Sequence, residues 1–230
     1  KDYLLEIQTS GLRNRTGGAV LILHNLDERQ HSRVQSQQRI RMLETFTAVS
    51  TALLSAKPNR FGNACLTALE QTAEIFDHES ASVGFFNTQS RTLRDIWTWP
   101  QNQEAADPAF NETLAKAAAS VDTNNKITYR FPEDLQKAPS PLAELHTKWG
   151  ICSVVLSPMQ LQNRLFGFLL LYSKKHGHHL APEDTTILQA LTSTFLTGEL
   201  NIHSAALLQT EADDEASEQP QLDSADSAEQ

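Results

Sequence analysis

Residues 151–200 constrain this chain more than any other stretch. Ile151 to Gln160 reads ICSVVLSPMQ and Leu165 to Ser173 reads LFGFLLLYS, two apolar runs of strand length. Only the polar Gln162, Asn163 and Arg164 separate them, so the two runs are expected to pair as an antiparallel hairpin. Pro182, Glu183 and Asp184 then open a segment whose apolar Ile187, Leu188, Leu191 and Phe195 fall at helical spacing. Proline suits the first turn of a helix, and two carboxylates there complement its dipole.

The chain has 230 residues, room for one ordinary domain beside a fragment or linkers. Of its formal charge of −9, the last twenty residues contribute most, with eight acidic side chains and no basic one. The rest is near neutral, which argues against a nucleic-acid surface. Two cysteines, Cys65 and Cys152, offer neither a disulfide framework nor zinc spacing. No apolar run reaches membrane-spanning length and no secretory signal is present, so the expectation is a piece of a longer cytoplasmic protein without membrane contact.

Tyr3 to Gln8 alternates weakly and 17–24 reads GGAVLILH, a second strand after a glycine-bearing turn. From Glu28 to about Ala56 there is neither proline nor glycine, which predicts one long helix. Its second half carries Met42, Phe46, Val49 and Leu53 at heptad spacing. That stripe suits either a coiled coil between protomers or an amphipathic helix buried on its own sheet. A second helix is expected from Arg60 to Phe76, with Cys65 as an inert core thiol. Ser82–Asn87 and Thr92–Trp99 flank a polar connection and predict a hairpin. A loop over 100–108, a helix over 111–120, a short strand over 127–131 and a helix over 142–148 complete the pattern. Residues 211–230, rich in Glu, Asp, Ser and Ala without an aromatic, predict a disordered tail.

The strand holding Pro158, the Phe166-Gly167 pair that opens the next apolar run, and the helix start Pro182-Glu183-Asp184 together resemble the C-terminal half of a GAF domain. The resemblance covers residues 42–202 and implies an α+β fold, a central antiparallel sheet flanked by helices with a long N-terminal linker helix. Residues 24–29, HNLDER, resemble the last strand of a PAS domain running into its linker, with Asn25 and Asp27 departing from the usual aspartate and threonine. The expected organisation is a PAS-like remnant over 1–28, a connecting helix over 29–41, the GAF-like domain over 42–202, and an exit helix with an acidic tail over 203–230.

The resemblance implies a sensory or regulatory domain of a signalling protein, with any catalytic output lying elsewhere; the alternatives are a small redox enzyme on the same scaffold and a ligand-free structural dimerisation module. Its ligand would lie between one sheet face and the variable helices, within 95–150. The candidate lining is Phe85, Trp97, Trp99, Tyr129, Phe131, His146, Trp149 and Val154. Aromatic walls with a few polar groups describe a small-molecule pocket, and equally a filled core. Trp97 and Trp149 are expected on the same side of the sheet. No cofactor follows. Relatives that hold a covalent bilin use a cysteine near the helix before the core strand, and 140–150 contains none. Cyclic-nucleotide binders carry an Asn-Lys pair and an Asp-Glu pair. Ser173-Lys174 and Glu183-Asp184 stand here instead. The enzymatic branch, the free methionine sulfoxide reductases, clusters reactive cysteines, which Cys65 and Cys152 do not. The lysine- and histidine-rich 174–179 reads as a solvated turn rather than a metal site. A homodimer through the terminal helices is the expected assembly, with a metabolite as possible ligand.

Overall fold

The alternating first segment forms the expected hairpin. Strands β1 (Leu5–Leu12) and β2 (Gly18–Asn25) pair antiparallel, from Leu5 opposite Asn25 to Leu12 opposite Gly18. Helix α1 (Leu26–Leu54) occupies the proline- and glycine-free segment. The chain divides into two units, 1–44 and 45–230. The computed structural model describes residues 5–12, 18–87, 90, 92–120, 127–130, 133–134, 137–162, 164–175 and 182–217.

In the second unit a 3-10 turn at Pro58–Arg60 separates α1 from α2 (Phe61–Ile75). There follow β3 (Ser80–Phe86), β4 (Leu93–Trp99), α3 (Pro108–Ala119), β5 (Ile127–Arg130), α4 (Ser140–Trp149), β6 (Ser153–Leu161), β7 (Arg164–Ser173) and α5 (Pro182–Ser217). The five strands β3–β7 form one antiparallel sheet in the order β4-β3-β7-β6-β5. The α+β class and the element order are those expected of a GAF-like domain.

Two boundaries move for identifiable reasons. Helix α3 begins at Pro108 rather than Asn111, because the Asp107 carboxylate caps it by accepting from the Ala109 amide at 2.8 Å. Helix α5 runs through Ser217, so 211–217 are helical and not part of a disordered tail. Glu, Ala and Gln are good helix formers, and no proline intervenes before Pro220. Residues 218–230, and with them the rest of that expectation, lie outside the described residues.

The sheet is covered on both faces, so its central strands carry almost no alternation. Every residue of β3 is buried, as are Gly167 to Ser173 of β7. On one face, Phe86, Leu156, Phe168 and Leu170 pack under Phe110 and Leu114 of α3 and Leu142 and Leu145 of α4. The other face lies beneath α2 and α5, where Thr192 Oγ1 stands 2.9 Å from Ser157 Oγ of β6. Cysteines 65 and 152 are free thiols, as expected. Among the described residues no helix is long and apolar enough to cross a membrane.

Candidate functional site

The eight side chains expected to line one pocket are divided by the sheet. Val154 lies in the core beneath α3 and α4, and Trp149 packs against its margin. The Trp149 ring meets Phe110 edge-on at 5.0 Å between centroids, and Phe110 meets Tyr172 at 5.8 Å. His146 is part of the end of α4: its Nδ1 donates to the Ile151 carbonyl at 2.9 Å, beside Gly150 at φ 70°. Phe85 and Trp97 are on the opposite face, 5.9 Å apart, and both contact Phe61 of α2. Trp99, two residues on from Trp97, shares its face.

Trp97 and Trp149 are therefore not on the same side of the sheet, and the expectation is corrected. Strand pairing decides the matter: Val83 stands opposite Trp97 and Gly84 opposite Ile96, so it is Ile96 that joins the α3/α4 core. Tyr129 pairs through its backbone with Val154. Its side chain lies outside the described residues, as does the whole of Phe131.

Under α3 and α4 the described apolar side chains form a buried core. Phe110, Leu114, Leu142, Leu145 and Val154 are all fully buried. Polar groups occur at one end, where Ser82 and Thr98 hydroxyls are 2.8 Å apart. Burial pushes the nearby Tyr172 phenol up to about 12, against the hydrogen bonds it shares with Ser82 and Ser80. Trp149 Nε1 is buried among the described residues without a hydrogen-bond partner.

An open cleft lies elsewhere. A cleft of about 310 Å³ lies where the ends of β3, β4 and β7 meet α5. Phe85, Phe86 and Phe166 form its sheet wall, and Leu196 and Leu200 its helix wall. Arg94, Glu199 and His203 supply charge and hydrogen bonding at the rim, beside Asn87. The Arg94 guanidinium reaches three partners. Its Nη2 donates to Glu199 Oε1, its Nε to Asp95 Oδ2 at 2.6 Å, and its Nη1 to His203 Nε2 at 3.2 Å. Burial opposes the Arg94 charge, but the Asp95 and Glu199 carboxylates outweigh it and raise its pKa above the ordinary value. Glu199 is only 8% exposed. Sequence reasoning missed this group because Arg94 and Glu199 are 105 residues apart and lie in different elements. The one local signal was the Glu199–His203 pair, one helical turn apart on α5.

Cys65 is fully exposed to none of this solvent. It is buried beneath the sheet, and burial, with the Glu199 and Asp95 charges, pushes its thiol well above the ordinary range. Among the described residues no group of histidine, cysteine and carboxylate side chains is placed to hold a metal ion.

No model of a protein family matches this chain, and no curated protein matches it. Solved structures do. A GAF domain assigned to a sensor histidine kinase from Pseudomonas syringae pv. tomato is 16% identical, with a TM-score of 0.51 over 78% of this chain and 98% of that one. The chromophore-binding domain of an unusual bacteriophytochrome from R. palustris is 12% identical, with a TM-score of 0.57 over 87% of this chain and 71% of that one. Identities this low speak for fold alone, and the fold of this chain is the GAF fold.

Proposed function

Taking the GAF fold as premise, we propose that this chain is a sensory and regulatory module of a signalling protein. It passes the state of its sheet, or of an upstream domain, to the helices at either end. One observation carries this reading: the entering and leaving helices meet on a single face of the sheet. At Gly198 of α5 the approach is so close that an added methyl would stand 3.3 Å from the Leu53 carbonyl oxygen of α1 and 3.1 Å from the Phe61 ring. Leu188, Leu191 and Phe195 bury α5, and the Arg94 contact to Glu199 ties it to the edge strand. A shift in β4 thus has a short physical path to α5. The N-terminal hairpin is read with this as the end of a PAS-like domain.

Homodimerisation belongs to the same reading, through a different stripe from the one the heptad spacing indicated. Val49 is 0% and Leu53 1% exposed, so that end of the stripe faces its own sheet, and charge at Val49 or Phe195 would unfold the chain rather than split a dimer. Ile40 and Leu43 of α1, 55% and 53% exposed, are apolar side chains open to a second copy. A thiol enzyme is the weaker alternative, since the buried Cys65 has the raised pKa of a structural cysteine rather than a nucleophile. Neither covalent bilin nor cyclic nucleotide is part of the reading.

Hydrogen exchange tests the relay. In Arg94→Ala, exchange should rise in α5 from Glu199 to Ala205, while α3 and α4 keep their protection. A rise spread evenly over the domain, or none in α5, would sink the proposal.

A further inference from the structure

The cleft beside α5 holds a carboxylate whose capacity is only half used. Glu199 makes its contacts through Oε1, to Arg94 Nη2 and, at 3.8 Å, to His203 Nδ1. Among the described residues nothing engages Oε2, although Glu199 is 8% exposed and lines the cavity. That oxygen opens to the cleft, where it can accept from an incoming donor. The charge balance selects the kind of donor. Arg94 is shared between Asp95 and Glu199, two carboxylates to one guanidinium, so the described groups leave a residual negative charge at the rim. That favours an incoming cation over an anion. The walls select its body. Phe85 and Phe166 stand across the cleft from Leu196 and Leu200, an apolar lining whose aromatic rings also attract an ammonium. A volume of about 310 Å³ is that of a small-metabolite pocket.

We propose that this cleft binds a small organic ammonium, a primary amine carried on an apolar body, with the amine donating to Glu199 Oε2 and the body between Phe166 and Leu200. The site lies on the opposite face of the sheet from α3 and α4. Occupancy would brace Glu199 and with it α5, so the inference deepens the relay reading and rests on it for its consequence. Binding is measured separately from exchange in α5, which lets either one fail alone.

Three benzyl compounds distinguish the chemistry on the unmodified chain: benzylamine, benzyl alcohol and phenylacetate, titrated by calorimetry at neutral pH and low salt, with amide spectra recorded in parallel. Benzylamine should bind about tenfold tighter than benzyl alcohol, as a charge-assisted hydrogen bond exceeds a neutral one, and phenylacetate should bind weakest. Shifts should centre on Asn87, Glu199 and His203. Glu199→Gln should reduce benzylamine to the level of the alcohol. Should that variant not fold, Leu200→Trp, which fills the cleft, should abolish binding of the whole series. Equal affinity for amine and alcohol, tightest binding of phenylacetate, shifts confined to α3 and α4, or unchanged amine binding in either variant overturns the assignment.

Discussion

Gly167 is the position at which the sheet has least room, and replacing it with alanine measures how rigidly β3 and β7 are joined. A methyl there would run into the Gly84 carbonyl oxygen, with Met159 Sδ and a Phe85 ring carbon each at 3.2 Å. The oxygen is backbone, in a ladder that sets Phe85 opposite Gly167 and Gly84 opposite Phe168. No rotamer change relieves the clash; the two central strands must part. Overpacking a core costs about 1–3 kcal/mol, and backbone movement between two fully buried strands puts Gly167→Ala at about 3 kcal/mol. With a urea slope of ~2 kcal/mol per molar, the unfolding midpoint should fall by about 1.5 M. Two other glycines calibrate the result. At Gly150 there is open space, but its φ of 70° makes alanine cost about 1 kcal/mol. At Gly62 the added methyl meets Trp97 Nε1 at 2.7 Å; the indole packs edge-on against Phe61 and Phe85 and has to shift, at a cost of about 1 kcal/mol, but no backbone atom stands in the way. Gly62 also lies within α2, where alanine gains up to about 1 kcal/mol in helix propensity, so that change should be close to neutral. Urea unfolding of the three variants should rank Gly167 as costliest, then Gly150, then Gly62. A Gly167→Ala chain within 1 kcal/mol of the parent, or one more stable than Gly62→Ala, would refute the reasoning.

Burial opposes the Glu79 charge, yet the Lys174 and Lys175 amides at 2.8 and 3.3 Å, with the Lys175 ammonium, hold its carboxyl below the usual 4.5. A lowered folded pKa gives stability that is present above 4.5 and lost as pH falls through the folded value. Glu79→Gln should thus lose under about 1 kcal/mol at pH 7 and nothing in strong acid; a gap that stays constant from pH 7 into the acid range contradicts this. Ile40→Glu, at a side chain 55% exposed, should leave the unfolding midpoint unchanged while shifting sedimentation from dimer to monomer. A parent chain that is already a monomer at high micromolar concentration removes the dimer from the proposal. A thiol reagent should label the half-buried Cys152 in the native state and reach Cys65 only on unfolding, so rapid labelling of both would mean the core is open.

The fold was legible because its element boundaries carry strong local signals. The polar break at 162–164 and the helix start at Pro182 gave β6, β7 and the beginning of α5 almost to the residue. Period and punctuation are local properties, and both survive packing. The site was not legible, for a reason visible in β3 and β4. Where apolar side chains stand in both phases of a strand, alternation no longer marks a face. β3 reads SASVGFF and is buried throughout, and β4 offers Leu93 and Ile96 in one phase and Trp97 and Trp99 in the other. Only the register, Val83 opposite Trp97, sends the indole of Trp97 toward Phe61 instead of toward Trp149.

The same loss of phase concealed the cleft. Arg94 reads as an ordinary exposed residue of an edge strand, and Glu199 as one carboxylate on a helix leaving the domain. What joins them is the pairing of β3 with β4 and β7 and the seating of α5 on β6 and β7, all non-local. Once joined, they tie an edge strand to the helix that leaves the sheet: β4 has a sheet neighbour on one side only, and α5 continues through Ser217. A charged contact at such a place is replaceable at modest cost in stability, since Arg94 is 30% exposed and a partly hydrated pair contributes far less than a buried one. That is the condition a relay requires. The β3–β7 ladder has to be stiff, as the Gly167 test measures, and the link from β4 to α5 has to be weak enough to be made or broken by a ligand.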